Sequence, residues 1–535
     1  MRLAAMLALL GVLSLTACGG GSTGGGTPPA PTPTPNAADD CPASGTLPSS
    51  IARGSAAKTI RRVLRTANIP RYVPGEIAVT YASSASPALS GKRIADLDYR
   101  NIGVHTRVLW LNPASVDAEL TKLQAMPGVR SAGRVTYAQR MSFSDDDPYY
   151  AGFAGTAAPY YETSTIPGQW DMHAINLDGA WSQFSSVPII GAPIAIVDTG
   201  VDVTHPDLTT PSGVTAPKII RTQCYVTYPT GTVQTTGQYV TDTDGHGTNV
   251  AGISDGDADN NFAFASAAFD APLLAYRIFP TDPPGGCDVD NAPPQCFTTS
   301  ADEASAIDDA VQHGAKVINL SLGGPGPCST SDPEYTAVEQ AIAAGVVVVA
   351  AAGNGTGDPP IGQPALDCPA ADPGVIAVGA SALNDGNTFS GPFEYVASYS
   401  DYVSGTGQSN SGAYLVAPGG DPPASEQCGS CTVDNLHWIE NIYSTDGVGI
   451  TSGSACAGGT DYAGENNDCN VLIVGTSQAT PHVTGVVSLM LAKNPNLTPA
   501  QIATGLCASA DDIGDTKEGC GRLDAAAAVT WAATH

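Results

Sequence analysis

Apolar residues along this chain fall into two regimes. In the longer, C-terminal part, short runs in which nearly every residue is apolar, 194–197, 273–278, 317–320, 346–350 and 375–378, alternate with longer helical stretches. Strands written that way have no polar face to offer to water, so both faces are buried. With helices between them, they predict an α/β fold: a doubly wound, mainly parallel sheet flanked by helices, with reactive groups at the carboxyl ends of strands. Nearer the N-terminus, GEIAVTY (75–81), HTRVLWL (105–111) and VRSAGRVTYAQR (129–140) predict strands, while SVDAELTKLQAM carries Val116, Leu120 and Leu123 at helical spacing. A second, small α/β module therefore precedes the large one.

Ahead of both, Arg2, the apolar run Leu3 to Leu15 and the small residues after it read as an export signal over residues 1–17. That run is too short to span a membrane in the mature protein. The tetrapeptide Leu15-Thr16-Ala17-Cys18 resembles a bacterial lipoprotein signal, which implies a lipid on Cys18 and a membrane-anchored proenzyme. GGGSTGGGTPPAPTPTP follows, and its composition cannot bury a core, so residues 18–50 read as a tether.

Composition sharpens the division. The 535 residues are 42% hydrophobic and only 14% charged, with 60 Gly and 42 Pro, which suits a compact, loop-rich enzyme. Net charge is −29, unevenly shared: residues 51–141 hold 14 Lys+Arg against 5 Asp+Glu, and 142–535 hold 7 against 44. The two modules have opposite sign, which predicts salt-sensitive docking of one on the other. A basic module also suggests nucleic acid, but its arginines are scattered and its acidic neighbour would compete for them, so no nucleic-acid partner is expected. Thirteen cysteines set in Gly/Pro-rich loops predict disulfides made outside the reducing cytosol. Sequence-close pairs suggest Cys287 with Cys296, Cys328 with Cys368, Cys456 with Cys469 and Cys507 with Cys520, with connectivity open. Cys428 and Cys431 read as a structural bridge, and Cys41 and Cys224 have no obvious partner.

Three motifs carry chemistry. In IAIVDTGVDVTHPDL a buried strand delivers Asp198 to its carboxyl end, and in DTDGHGTNVAGIS His246 stands between two glycines at a helix start. In VGTSQATPHVTGVVSLMLA, Ser477 opens a helix apolar on every side, with Pro481 in its first turn. A helix N-terminus leaves N–H donors and a positive partial charge beside that serine, which favours an oxyanion there. A histidine takes up and returns protons near neutral pH. An aspartic-peptidase reading of Asp-Thr-Gly fails for want of a second such motif, and GISDG at 252–256 lacks the strand-to-helix context of an esterase nucleophile.

Together these motifs resemble the subtilase family, from about Trp170 to the chain end, in the order Asp, His, Ser. The resemblance implies Ser477 as nucleophile, His246 as general base and Asp198 as the group that orients and stabilises the imidazolium. VVVVAAAGNG resembles the segment that carries the family's oxyanion-hole asparagine, here Asn354. NLSLGGPG, with Ser321, Leu322 and Gly323, resembles the substrate-lining strand, facing Ala351 to Gly353, and glycines on both sides imply a roomy pocket. Residues 51–141 resemble the family's inhibitory propeptide, which leaves 142–535 as the peptidase domain. The expected protein is thus an exported or surface-anchored serine endopeptidase acting on proteins or peptides through an acyl-enzyme, made as a self-processing proenzyme and blocked by its own propeptide. Such chemistry needs no metal. Structural calcium is common in the family, and Asp255, Asp257, Asp259 and Asn261 lie where it places one site, though no ligand set follows from them. Asn249 and Gln478 depart from the family's usual His and Met, and the stretch 384–474 is long for it. A lipid-anchored binding protein on the same scaffold is the alternative from a different class, and the intact Asp198, His246, Ser477 and Asn354 weigh against it.

Overall fold

The computed structural model describes residues 72–81, 88–89, 92–93, 99–101, 106–111, 115–140, 169–184, 189–208, 217–227, 235–237, 240–257, 264–268, 270–280, 297–324, 326–356, 361–383, 394–403, 412–421, 438–444, 460–461 and 469–535. All of these belong to one compact unit, 37–535. Cys18, the tether, Asp259, Asn261 and the cysteines at 41, 287, 296, 428, 431 and 456 lie outside the described residues.

The small module is an antiparallel sheet in which β1 (Tyr72–Tyr81) lies between β2 (Thr106–Trp110) and β3 (Val129–Arg140), with α1 (Val116–Gln124) on one face. Successive residues of a strand point to opposite faces. Accordingly Ile77, Val79 and Leu109 pack on Val116 and Leu123 of α1, whereas Ala78, Val108 and Val135 turn the other way. That second face is buried in a core shared with the large module.

The large module holds the strands that apolar runs anticipated: β4 (Ile194–Asp198), β6 (Leu273–Arg277), β8 (Val317–Leu320), β10 (Val347–Ala351) and β11 (Ile376–Leu383). It adds β5 (Ile219–Val226), β7 (Phe297–Thr299), the two-residue β9 (Leu322–Gly323) and β12 (Tyr414–Pro418). Among the described residues the parallel order is β5-β6-β4-β8-β10-β11-β12. Alternate residues feed two cores: Ile194 and Ile196 face one, Ala195 and Val197 the other. The helices divide the same way. α4 (His246–Asp255) and α7 (Thr476–Lys493) cover the first face, while α5 (Ser300–Gln312) and α6 (Pro333–Ala343) cover the second. Strand order reverses beside β4, so the crevice at its carboxyl end is where this architecture binds ligands.

The charge split predicts docking of the small module through opposite charges, and the structure corrects the emphasis. The interface is chiefly apolar, with Ala78, Val108 and Val135 packed in the cluster that includes Ala301, Ala304 and Ala337. The ion pair found across it, Arg130 to Glu339 at 2.8 Å, is half-exposed at both ends and belongs to a class worth little. Gly133 of β3 sits so close to Ser331 that a Cβ there would lie 2.1 Å from the serine Cβ.

Beside that contact, at the first turns of α5 and α6, the carboxyls of Glu303, Glu334 and Asp372 are buried together. Burial foremost, then repulsion from each other and from Asp332, holds Glu303 and Glu334 well above the carboxylate range; burial also lifts Asp372 to about 6. The folded protein thus keeps protons that the unfolded chain releases above about pH 4.5. Stability from these groups is full below that pH and lost as pH rises through 6 and beyond. Glu334→Gln, made in an inactive Ser477→Ala background, should therefore raise the unfolding temperature more at pH 8 than at pH 5. Parallel melting curves for the two proteins at both pH values would contradict this.

Among the described residues two of the expected disulfides are present, Cys328–Cys368 and Cys507–Cys520. Cys224, which had no obvious partner in sequence, is also disulfide-bonded.

Candidate active site

Asp198 ends β4 fully buried, and its Oδ1 lies 2.7 Å from His246 Nδ1, the first residue of α4. The same oxygen accepts the Thr199 backbone N–H at 2.7 Å. Steric demands explain the glycines beside the histidine. Gly245 has φ +101°, and a side chain there would strike the Tyr443 ring, while a Cβ on Gly247 would lie 2.0 Å from the Gly200 carbonyl oxygen. Only glycine lets the helix start abut the strand end. A carboxylate facing Nδ1 accepts from it, which leaves Nε2 as the ring's acceptor. Nε2 is buried and makes no hydrogen bond.

A buried residue of the same motif, not singled out in sequence, fixes this junction. Asp242 Oδ1 accepts from Thr199 Oγ1 (2.9 Å) and Gly245 N (2.8 Å), and its Oδ2 accepts from Thr248 N (2.8 Å) and Thr248 Oγ1 (2.6 Å). Burial raises the Asp242 pKa, and these hydrogen bonds oppose the rise. Gly247 N in turn donates to Thr199 Oγ1 at 2.9 Å. The helix start is thereby stitched to the strand that carries Asp198.

Ser477 lies in the first turn of α7, and its Oγ donates to the Ser321 carbonyl at 3.0 Å. The Ser321 hydroxyl donates to Ser477 O at 2.8 Å and accepts from Asn319 Nδ2 at 2.9 Å, and Asn319 Oδ1 accepts from Thr484 Oγ1 at 2.8 Å. Sequence reasoning puts Ser321 among the substrate-lining residues; its side chain is instead committed to holding the Ser477 backbone. Asn354 is oriented by Thr476, whose N and Oγ1 donate to Asn354 Oδ1 at 3.0 and 2.9 Å. With Oδ1 so engaged, the amide Nδ2 is the end left to donate, next to the open N–H groups of the α7 terminus. Thr476 was not legible as functional, although it adjoins Ser477. We expect Asn354→Ala to lower kcat about 10²–10³-fold, the scale such a change has in subtilisin. Thr476→Val should lose roughly tenfold by freeing the amide to turn, with KM nearly unchanged. Equal kcat for Thr476→Val and the parent protein would show that the clamp is unimportant.

Leu322 and Gly323 present backbone to the cleft and pair antiparallel with Arg140 and Gln139 of β3. On its other side the same stretch of β3 pairs with Phe297–Thr299. The cleft floor is therefore a place where an extended peptide becomes the middle strand of three, and the chain's own segment occupies it.

The expected calcium loop fares differently. Asp255 Oδ1 is 3.3 Å from Lys218 Nζ, which also contacts Asp270 Oδ1 at 3.0 Å, all buried. A built-in ammonium thus takes the position a metal would need beside Asp255. Another group of metal-type side chains, Asp372 with Cys328 and Cys368, uses two sulfurs bonded to each other.

A family model described as the subtilase family matches residues 190–523, well over half of the chain. The chain belongs to the subtilase family. Among subtilases, halolysin from Haloferax mediterranei is 31% identical over 398 residues, covering 74% of this chain and 59% of its own length. The thermophilic serine proteinase of Bacillus sp. strain AK1 is 28% identical over 466 residues, 86% of this chain and 88% of that protein. The crystal structure of fervidolysin from Fervidobacterium pennivorans, described as a keratinolytic enzyme related to subtilisin, superposes with a TM-score of 0.59 at 25% identity, covering 88% of this chain and 63% of that one. This chain thus spans less than two thirds of halolysin and fervidolysin. The two departures from the usual subtilase pattern prove to be neighbours: Gln478 Nε2 donates to Asn249 Oδ1 at 3.3 Å, and Asn249 Nδ2 donates to the Ile442 carbonyl at 3.2 Å.

Proposed function

We propose that this subtilase is a serine endopeptidase in which Ser477 attacks the peptide carbonyl, His246 takes and returns the proton, and Asp198 holds the ring and stabilises its charged form. The observation that carries the reading is the 2.7 Å contact of buried Asp198 with His246 Nδ1, which leaves Nε2 buried without a hydrogen bond. To react, Ser477 turns from the Ser321 carbonyl to Nε2, a tightening expected when substrate arrives. The oxyanion then meets Asn354 Nδ2 and the Ser477 backbone N–H, and collapse yields an acyl-enzyme that water hydrolyses. No step calls for a metal ion. Leu322, Gly323 and Gly353 would line the peptide's path.

Residues 51–141 act in this reading as an inhibitory propeptide. Strand pairing of its last residues with Leu322–Gly323 and Phe297–Thr299 supports that role, since it blocks the strand position a substrate needs. Self-cleavage falls after Arg140, and the lipid on Cys18 anchors the uncut proenzyme. No helix among the described residues is long and apolar enough to cross a membrane, so such an anchor rests on the lipid. The decisive experiment expresses the full chain in a bacterium that processes lipoproteins, then applies a fluorophosphonate serine probe and separates membrane from soluble material. Probe on a shortened, soluble chain, and a full-length, membrane-bound Ser477→Ala, is the expected result. A wild type that takes no probe and hydrolyses no casein would overturn the peptidase reading, and identical fractionation of the two proteins would overturn self-release.

A further inference from the structure

The peptide path has one wall at Ser321–Gly324 and the other at Ala351–Asn354, and a single segment closes the gap between them. Asp367 N donates to the Ala352 carbonyl at 2.9 Å, while Cys368 exchanges two backbone hydrogen bonds with Gly324, at 2.8 and 3.1 Å. The Cys328–Cys368 disulfide ties the same segment to the chain just beyond the first wall. Asp367 and Cys368 are therefore the floor of the slot, tied to both sides.

That floor carries charge. A Cβ built on Gly353, which has φ +118°, would lie 2.8 Å from Asp367 Oδ2 and 2.3 Å from Asp401 Oδ2. The glycine leaves the room that both carboxylates fill, close enough together for one cationic head group to face both. Asp401 is fixed in turn, its N–H donating to the Gly353 carbonyl at 2.9 Å and its Oδ1 accepting from Gln363 N at 2.6 Å. Both residues are buried, and Asn354, whose amide marks the oxyanion side, follows Gly353 directly. The antiparallel pairing of β3 with Leu322–Gly323 is independent proof that this wall accepts a peptide strand. A peptide held there with its reacting carbonyl at Asn354 sends the side chain of that same residue into the slot.

We propose, on the endopeptidase reading above, that Asp367 and Asp401 set specificity by receiving the positively charged side chain of an arginine or lysine that precedes the scissile bond. An apolar residue in the slot dehydrates two carboxylates without supplying a counter-charge, and an acidic one adds repulsion. A site built around a polar partner discriminates far more strongly against its absence than an apolar slot does against a change of size.

The test uses the matured enzyme, its active sites counted with the fluorophosphonate probe, and peptides that differ only at the residue before the cut. Arginine and lysine should exceed norleucine and phenylalanine in kcat/KM by tenfold or more, with glutamate last. Asp367→Asn and Asp401→Asn should each lower the arginine-to-norleucine ratio at least tenfold. Equal or better cleavage after norleucine or phenylalanine by the wild type overturns the proposal, as does an unmoved ratio in both variants. Should one variant fail to take the probe, the wild-type panel and the other variant decide. Wild type that labels and cuts yet prefers apolar residues sinks this inference alone; wild type that neither labels nor cuts sinks the endopeptidase reading beneath it.

Discussion

Ser477→Ala should abolish peptide hydrolysis to within the background left by substrate binding, a loss of about 10⁶-fold in kcat on the scale known for this family. The hydroxyl is the only atom removed. Its one described bond goes to the Ser321 carbonyl, which sits at the end of a sheet strand held by Asn319 and Thr484, so the fold should stand. Two readouts separate lost chemistry from lost structure. The variant should melt cooperatively, and it should accumulate as the full-length precursor, because residues 129–140 remain paired with Leu322–Gly323 and Phe297–Thr299 with nothing to cut the chain beyond them. Precursor that matures normally in the purified variant would mean that another residue, or another enzyme, performs the cleavage.

Asp198→Asn should cost about 10⁴-fold in kcat while leaving the site's shape almost unchanged. The reason is directional. Asp198 Oδ1 takes two donors, the Thr199 N–H and the imidazole Nδ1, each at 2.7 Å. An asparagine that keeps its oxygen toward Thr199 and its amide toward the ring presents a donor to Nδ1, so the ring proton shifts to Nε2, where it cannot accept the serine's proton. Activity of the variant should recover partly at high pH, where the serine hydroxyl needs less help, and a pH–rate profile against the wild type would reveal it. A loss below tenfold would place the tautomer control elsewhere, with Asp242 the first residue to examine, since it fastens the same helix start through Thr199, Gly245 and Thr248.

The sequence by itself determined the α/β class and most of the central sheet, because strands buried on both faces must be apolar at nearly every position, as 194–197, 317–320 and 346–350 are. It missed β5, whose IIRTQCYV is only half-buried at the flank of the sheet, and β12, a five-residue strand within the long stretch 384–474. A strand with one wet face tolerates polar residues and loses the signal. Asp198, His246, Ser477 and Asn354 could be named from motifs because each stands at the end of an element whose glycines and apolar runs are themselves readable. Thr476 and Asp242 could not, since a threonine or aspartate beside a motif looks like any helix cap until the group it holds is known. The charge split of −37 against +9 was equally plain, yet it misjudged how the two modules meet. Net charge acts over long distances through water, whereas contact is decided by which small apolar side chains face one another, here Ala78, Val108 and Val135 on Ala301, Ala304 and Ala337. Only the tertiary structure could bring Asp367 and Asp401, 34 positions apart, to one glycine, because carboxylates in loops carry no periodicity and their neighbours are chosen by the whole fold.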